Sequence, residues 1–353
     1  MRFRDRDAPV THDGLIFRTY GYDHPEDACF CDLEYAPETQ YSTDDPRALR
    51  DGLPTRHYKF YFDGGIRFAL SHSPPYTLQH RPLNRLMAGV TRDQISHVVE
   101  PQERLKELLR TGTDPLVEAT WEVLDMITQS STLSVGDFGV FGSLAHGFHN
   151  PRYSDIDLLI YGVRQLRGLR STLGDLYDQG VMANEYEGWT PSDSPAYWNF
   201  RHYTKEEYGA SQRRKLIYAT TQSKHLGRTV KIEFEPVRRW DEVRNEYPDT
   251  ERIENLGRVE AVGVVLSGDE AGFMPSIYPV DIEETSARTR PEEIRRVVSY
   301  VEEYRLQLRE GETAFIRGNL EKVTTREGEF HQITLSYGPE YFDQVLKPRA
   351  YSS

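Results

Sequence analysis

Cysteine is almost missing: Cys29 and Cys31 are the only two thiols in 353 residues. Two cysteines build no disulfide framework, and one residue apart on a strand both would share a face. The pair therefore reads as free thiols in a reducing cytoplasm. No run of about 18 apolar residues occurs, which excludes a membrane-spanning helix. The opening Met1–Asp7 lacks the apolar stretch of a secretory leader, so a cytoplasmic protein with no membrane partner is expected. Lysine is scarce, at 8 against 35 arginines, a bias that suits a GC-rich genome or a salty cytoplasm. Positive charge is in deficit overall. Lys and Arg number 43 against 56 Asp and Glu, a net charge of −13, which argues against a basic nucleic-acid coat protein. What is present suffices for folding. A hydrophobic content of 37% with 12% aromatics excludes wholesale disorder, and the length allows two or three domains.

Patterning divides the chain into a β-rich N-terminal region (1–80), a helical connector (81–130), a central mixed segment (131–240) and a β-rich tail (255–347). In the first region Leu15–Tyr20 and Ala28–Tyr35 read as strands. His57–Phe62 and Ile66–Leu70 read as a hairpin turning at Asp63-Gly-Gly65. Thr91 predicts the N-cap of a helix through Ile95, Val98 and Val99, and Gln102–Leu109 continues as helix. Asp114-Pro115 is a helix start, with Val117, Trp121, Leu124 and Ile127 at helical spacing. Trp189–Ser194 is loop-like, Lys205–Ala219 helical, and Val230–Glu235 an alternating strand. In the tail, Pro291–Arg309 predicts an amphipathic helix, and Thr313–Val323 with Phe330–Ser336 a hairpin. Short strands around one helix suggest a small β-barrel-like domain.

The chemistry lies in Phe141-Gly-Ser143 followed by Ser154-Asp-Ile-Asp157. Alternation along an apolar strand puts Asp155 and Asp157 on one face, where like charges repel unless a cation joins them. Divalent Mg²⁺ takes hard oxygen ligands of this kind, and Mn²⁺ is an alternative. Gly142-Ser143 sits where strand hands over to helix. Free backbone N–H groups there can hold a phosphate, and the serine hydroxyl adds a donor. A Walker-type phosphate loop is excluded, because Phe148-His149 replaces its Lys-Ser/Thr. The basic run Gln212-Arg-Arg-Lys215 allows two readings: Arg213 or Arg214 clamps a triphosphate or nucleic-acid backbone, or the run balances Glu206-Glu207 at the surface.

This stretch resembles the signature of the DNA polymerase β nucleotidyltransferase superfamily. Gly142-Ser143, Ala145, Gly147 and Ser154-Asp155-Ile156-Asp157 match its minimal-nucleotidyltransferase version, with His146 where arginine often stands. The chain also resembles, over most of its length, an uncharacterised archaeal group of nucleotidyltransferases with openings like Arg4-Asp-Arg-Asp7 and Gly14-Leu-Ile-Phe17. The resemblance implies an α+β fold, with a mixed-sheet nucleotidyltransferase domain over 131–240 between the β-rich N-terminal region and the barrel-like tail. It implies nucleotide contacts at Gly142, Ser143 and Ser154, and a metal site at Asp155, Asp157 and a third acid on a neighbouring strand. Glu233, three residues before Pro236, is chosen, with Glu235 in reserve. The expected activity is Mg²⁺-dependent transfer of a nucleoside monophosphate from a triphosphate, such as ATP, to a hydroxyl, an RNA 3′ end foremost by analogy. Two alternatives stand beside it: a non-catalytic nucleotide- or nucleic-acid-binding regulator that keeps the fold, and nucleotidylation of a protein or small molecule.

Overall fold

The computed structural model describes residues 2–52, 55–61, 63–190, 200–338 and 341–349. The chain forms two compact units. The first comprises Met1–His80, Asn84–Met182 and Ala219–Tyr247; the second comprises Arg81–Leu83, Ala183–Tyr218 and Pro248–Ser353.

The first unit contains two sheets. One runs in the order Leu49–Arg50, His57–Lys59, Ala28–Pro37, Ile16–Thr19, Ala8–Thr11, Ile95–Val99, with the hairpin Thr77–His80/Arg85–Thr91 joined to the start of Ala28–Pro37. Its apolar side buries Leu15, Phe17, Cys29, Cys31, Leu33 and Val90. The two cysteines are free and buried. The expected return strand after Asp63 is instead the helix Gly64–Ser71. A tight hairpin of the type read from Asp-Gly-Gly needs positive φ at its central residues, and neither Gly64 nor Gly65 has it. Gly65 serves a different purpose, since a Cβ there would stand 2.0 Å from the Leu33 carbonyl oxygen. Phe62, the last residue of the expected strand, lies outside the described residues.

The helix expected after Thr91 is also corrected. Thr91 does cap, through a reciprocal box with Gln94, but only a single 3₁₀ turn, Arg92–Gln94. Ile95–Val99 then runs as a strand antiparallel to Ala8–Thr11. Ile and Val at 95, 98 and 99 carry branched β-carbons that favour a pleated surface once a partner strand exists. The stretch 81–130 thus contributes strands as well as its two helices, Pro101–Thr111 and Pro115–Gln129. Asp114 caps the second by accepting from the Leu116 and Val117 N–H groups at 2.9 and 3.3 Å.

The second sheet carries the acid motif. Four of its five strands are ordered Tyr218–Ser223, Arg228–Val237, Ile156–Tyr161, Phe138–Val140. Ile156–Tyr161 is parallel to Arg228–Val237 and antiparallel to Phe138–Val140. Ile156, Leu158, Ile160, Ile232 and Phe234 are fully buried, and the amphipathic helix Val163–Asp178 packs against the Ile156–Tyr161 strand. The opposite face bears Asp157, Leu159 and Tyr161.

The second unit is mainly β. Thr250–Val265 pairs with Ser276–Thr285 and with Thr313–Thr325, while Ile294–Ser299 and Gly328–Leu335 complete the path between them, so the pairings run in a closed cycle. Val345–Pro348 adds to the outer end of Thr313–Thr325. The hairpin is as expected, but the amphipathic helix is not. Pro291–Arg309 holds a 3₁₀ turn, the strand Ile294–Ser299 and a second 3₁₀ turn, Glu302–Tyr304. Val297 and Val298 are both buried, so the strand is covered on two faces and its alternation is erased, leaving a spacing that mimics a helix. The helix expected over 205–219 spans Lys205–Arg213; Leu216 has φ +54°, and Tyr218–Ser223 follows as a strand. Of the loop read at 189–194, residues 191–194 lie outside the described residues. Among the described residues no helix is long and apolar enough to cross a membrane.

Candidate functional site

Backbone geometry makes the Gly-Ser turn and the acid pair a single site. Phe141 is extended, and its N–H donates to the Asp157 carbonyl at 3.1 Å. Gly142 then takes φ +61° to enter the helix Gly142–His146, which Gly147 closes in the left-handed region. A Cβ on Gly142 would stand 2.4 Å from Asp157 Oδ2. Glycine is therefore required twice here, by the dihedral and by the carboxylate lying against it.

The loop to Asp155 is tied down by polar contacts. Ser154 Oγ accepts from the Asn150 N–H at 2.8 Å, and the Ser154 N–H donates to the Asn150 carbonyl, also at 2.8 Å. The Arg228 guanidinium donates to the carbonyls of Pro151 and Ser154. His149 Nε2 lies 3.0 Å from Oδ2 of Asp114, joining the loop to the cap of the helix Pro115–Gln129. These contacts deliver Asp155, exposed, to the mouth of the strand, with Asp157 half-buried behind it. In the parallel ladder Glu233 is the direct partner of Asp157, whereas Glu235 is opposite Leu159. Glu235 is buried, and Arg6 Nη2 donates to its Oε2 at 2.5 Å.

The N-terminal sheet contributes charge to this face. Burial pushes Asp157 up to about 7, Lys59 opposes that rise, and Asp155, Glu34 and Glu235 add to it. Burial also pushes Glu34 upward, yet Lys59, Arg18, His146 and Arg6 together hold it below the ordinary glutamate value. Burial drives His146 down to about 4, against the pull of Glu34. Lys59 Nζ stands 3.7 Å from Glu34 Oε1. Arg4, Asp5, Arg6 and Asp7 are all buried, with Arg4 over the Tyr161 ring at 4.2 Å and Arg6 over Phe141 at 5.4 Å. Among the described residues no three acidic, histidine or cysteine side chains are gathered as around a metal ion. The donor chemistry fits one nevertheless: Asp155, Asp157 and Glu233 offer only hard carboxylate oxygens, the ligand set of Mg²⁺.

Residues 125–235 match the family of nucleotidyltransferase domains. This chain carries a nucleotidyltransferase domain. The domain supports transfer of a nucleoside monophosphate as the general activity. Over 98% of its length the chain is similar, at 26% identity, to an uncharacterised protein of Methanocaldococcus jannaschii, of which 99% is covered. No solved structure matches the chain.

The nucleotidyltransferase domain brings Gly142, Ser143, Ser154, Asp155, Asp157 and Glu233 into one unit. Arg213 and Arg214 belong to the other. Arg213 Nε donates to the Tyr186 carbonyl at 3.3 Å, and Arg214 Nη2 meets Glu312 Oε1 at 2.5 Å. Sequence reasoning missed Arg6, Arg18, Glu34 and Lys59. One signal was available: Asp32-Leu-Glu34 repeats, on an apolar strand, the pattern of two acids one residue apart that marked Asp155-Ile-Asp157.

Proposed function

We propose that this protein transfers a nucleoside monophosphate from a nucleoside triphosphate to a hydroxyl acceptor and releases pyrophosphate. The observation that carries the reading is the contact of Gly142 with the Asp157 carboxylate, which makes phosphate cradle and acid pair parts of one surface. The Ser143 hydroxyl and the backbone N–H groups at the turn orient the triphosphate. Ser154, through its bonds to Asn150, holds Asp155 at the strand mouth. Asp155, Asp157 and Glu233 would hold Mg²⁺ or Mn²⁺, which would supply Lewis-acid chemistry: a lower pKa for the acceptor hydroxyl, so that its proton is lost to solvent, and a counter-charge for the pyrophosphate. An RNA 3′ end heads the acceptors to be tried, followed by a protein or small-molecule hydroxyl.

The test is transfer of label from the four α-labelled nucleoside triphosphates with Mg²⁺ or Mn²⁺, with and without total cellular RNA. Label on RNA that disappears in Asp155→Asn/Asp157→Asn is the expected result, and label on protein would redirect the acceptor. A folded protein that binds triphosphate but transfers no label would replace this reading with that of a nucleotide-binding regulator.

A further inference from the structure

Asp155 differs from the other two acids in how it is held. Asp157 and Glu233 are direct partners in the parallel ladder, and Gly142 lies against the Asp157 carboxylate. That ladder begins at Ile156, so Asp155 precedes it and depends on the loop 147–154 for its place. The loop is bonded within itself through Asn150 and Ser154, and Arg228 ties it to the strand that carries Glu233. Arg228 Nε donates to the Pro151 carbonyl at 3.2 Å and Nη2 to the Ser154 carbonyl, while Nη1 returns to the Thr229 carbonyl at 3.2 Å. The Ser154 carbonyl belongs to the peptide that opens Asp155. Three donors of one planar fork thus meet three carbonyls, a geometry that an ammonium does not reproduce. The helix Pro115–Gln129 steadies both partners of this bracket. Its cap Asp114 meets His149 of the loop at 3.0 Å, and its Glu118 meets His225 Nδ1, in the turn before Arg228, also at 3.0 Å.

We infer that Arg228 is a positioning residue for the metal site: by gripping the peptide before Asp155 it fixes that carboxylate beside Asp157 and Glu233. The assignment rests on the metal-dependent transfer reading and adds to it a residue, outside the three acids, on which cation affinity depends. Two carboxylates one residue apart repel each other when no cation lies between them, and the exposed Asp155 is the one free to turn away. Fixing its backbone beforehand lowers the cost of gathering the acids. Groups that orient a metal's ligands in this way are worth about 10–100-fold in metal affinity. The sign separates this role from a bare charge effect. Deleting a positive charge near a cation site favours the cation, whereas deleting a positioning group weakens its binding.

The experiment titrates Mn²⁺, as the metal alone, into the full chain and reads free Mn²⁺ by electron paramagnetic resonance. Wild type is compared with Arg228→Met, Arg228→Lys and Asp155→Asn, each checked for native near-ultraviolet circular dichroism. Arg228→Met keeps the side-chain stem without its donors, and Arg228→Lys keeps the charge without the fork. The expected result is Mn²⁺ binding about tenfold weaker in Arg228→Met, with Arg228→Lys between it and wild type. In label transfer, the loss in Arg228→Met is recovered at high Mg²⁺, which a collapsed site would not allow. If Arg228→Met fails the circular dichroism check, Arg228→Lys alone carries the comparison, again with weaker binding than wild type expected. Binding that is unchanged or tighter in the folded Arg228 variants overturns the assignment, while its loss in Asp155→Asn leaves the metal site and the transfer reading in place. Equal binding by wild type and Asp155→Asn removes Asp155 from the metal site, and the role of Arg228 with it.

Discussion

Two strands of this protein carry the same device and treat it oppositely. Ile156–Tyr161 and the preceding residue present Asp155 and Asp157, and Ala28–Pro37 presents Asp32 and Glu34, in each case two acids one residue apart in an apolar run. Asp157 is pushed up to about 7, whereas Glu34 is held below its ordinary value. Burial acts on both. The difference lies in the cations: Lys59, Arg18 and Arg6 act on Glu34, while Lys59 stands against three carboxylates around Asp157. The surrounding charges thus leave the effect of burial dominant at Asp157 and override it at Glu34.

The largest expected effect comes from removing the Asp155–Asp157 pair. Asp155→Asn and Asp157→Asn each lower label transfer by about 10³-fold or more, measured at saturating triphosphate, because metal-held charge stabilisation supplies several kcal/mol of such a barrier. Gly142→Ala pushes on the same carboxylate from the other side. Its Cβ and strained φ cost about 1–3 kcal/mol in denaturant unfolding and lower transfer as well. Arg6→Met breaks the compensated side. It removes the Arg6 contact from buried Glu235 and destabilises by about 3–5 kcal/mol, and Arg6→Met/Glu235→Leu recovers most of the loss.

A pH series sharpens the contrast. A carboxyl raised in the folded state binds more protons there than in the unfolded chain between about 4 and 7. Metal-free stability therefore falls as pH rises through that window, and Asp157→Asn shows a shallower fall. Buried Asp7, also raised to about 7 chiefly by burial, contributes a slope of the same sign that the Asp157 variant leaves in place. Smallest of all, Arg213→Ala at an exposed helix end changes stability by under about 0.5 kcal/mol, and a larger shift in thermal unfolding would show that its contact with the Tyr186 carbonyl matters.

The turn and the acid pair were legible because the information is local. A strand, a glycine, a short helix and a second strand fix their relation within about twenty residues, and alternation alone puts both acids on one face. Asp114 as a cap was legible for the same reason. The N-terminal wall was not, because it depends on strand partners far apart in sequence: Arg6 meets Glu235 across 229 positions. The missed strands share a cause as well. Ile95, Val98 and Val99, like Ile294, Val297 and Val298, repeat at helical spacing, and only a distant partner strand reveals which structure their branched side chains adopt.

The Arg6–Glu235 contact also bears on how the chain is made. Arg6 leaves the ribosome 229 residues ahead of its partner, an interval of roughly 10–50 s at ordinary elongation rates. Until then the buried run Arg4-Asp-Arg-Asp7 lacks the strand that will carry its partner. The burial of these four side chains is therefore completed only once the strand that carries Glu235 has been made.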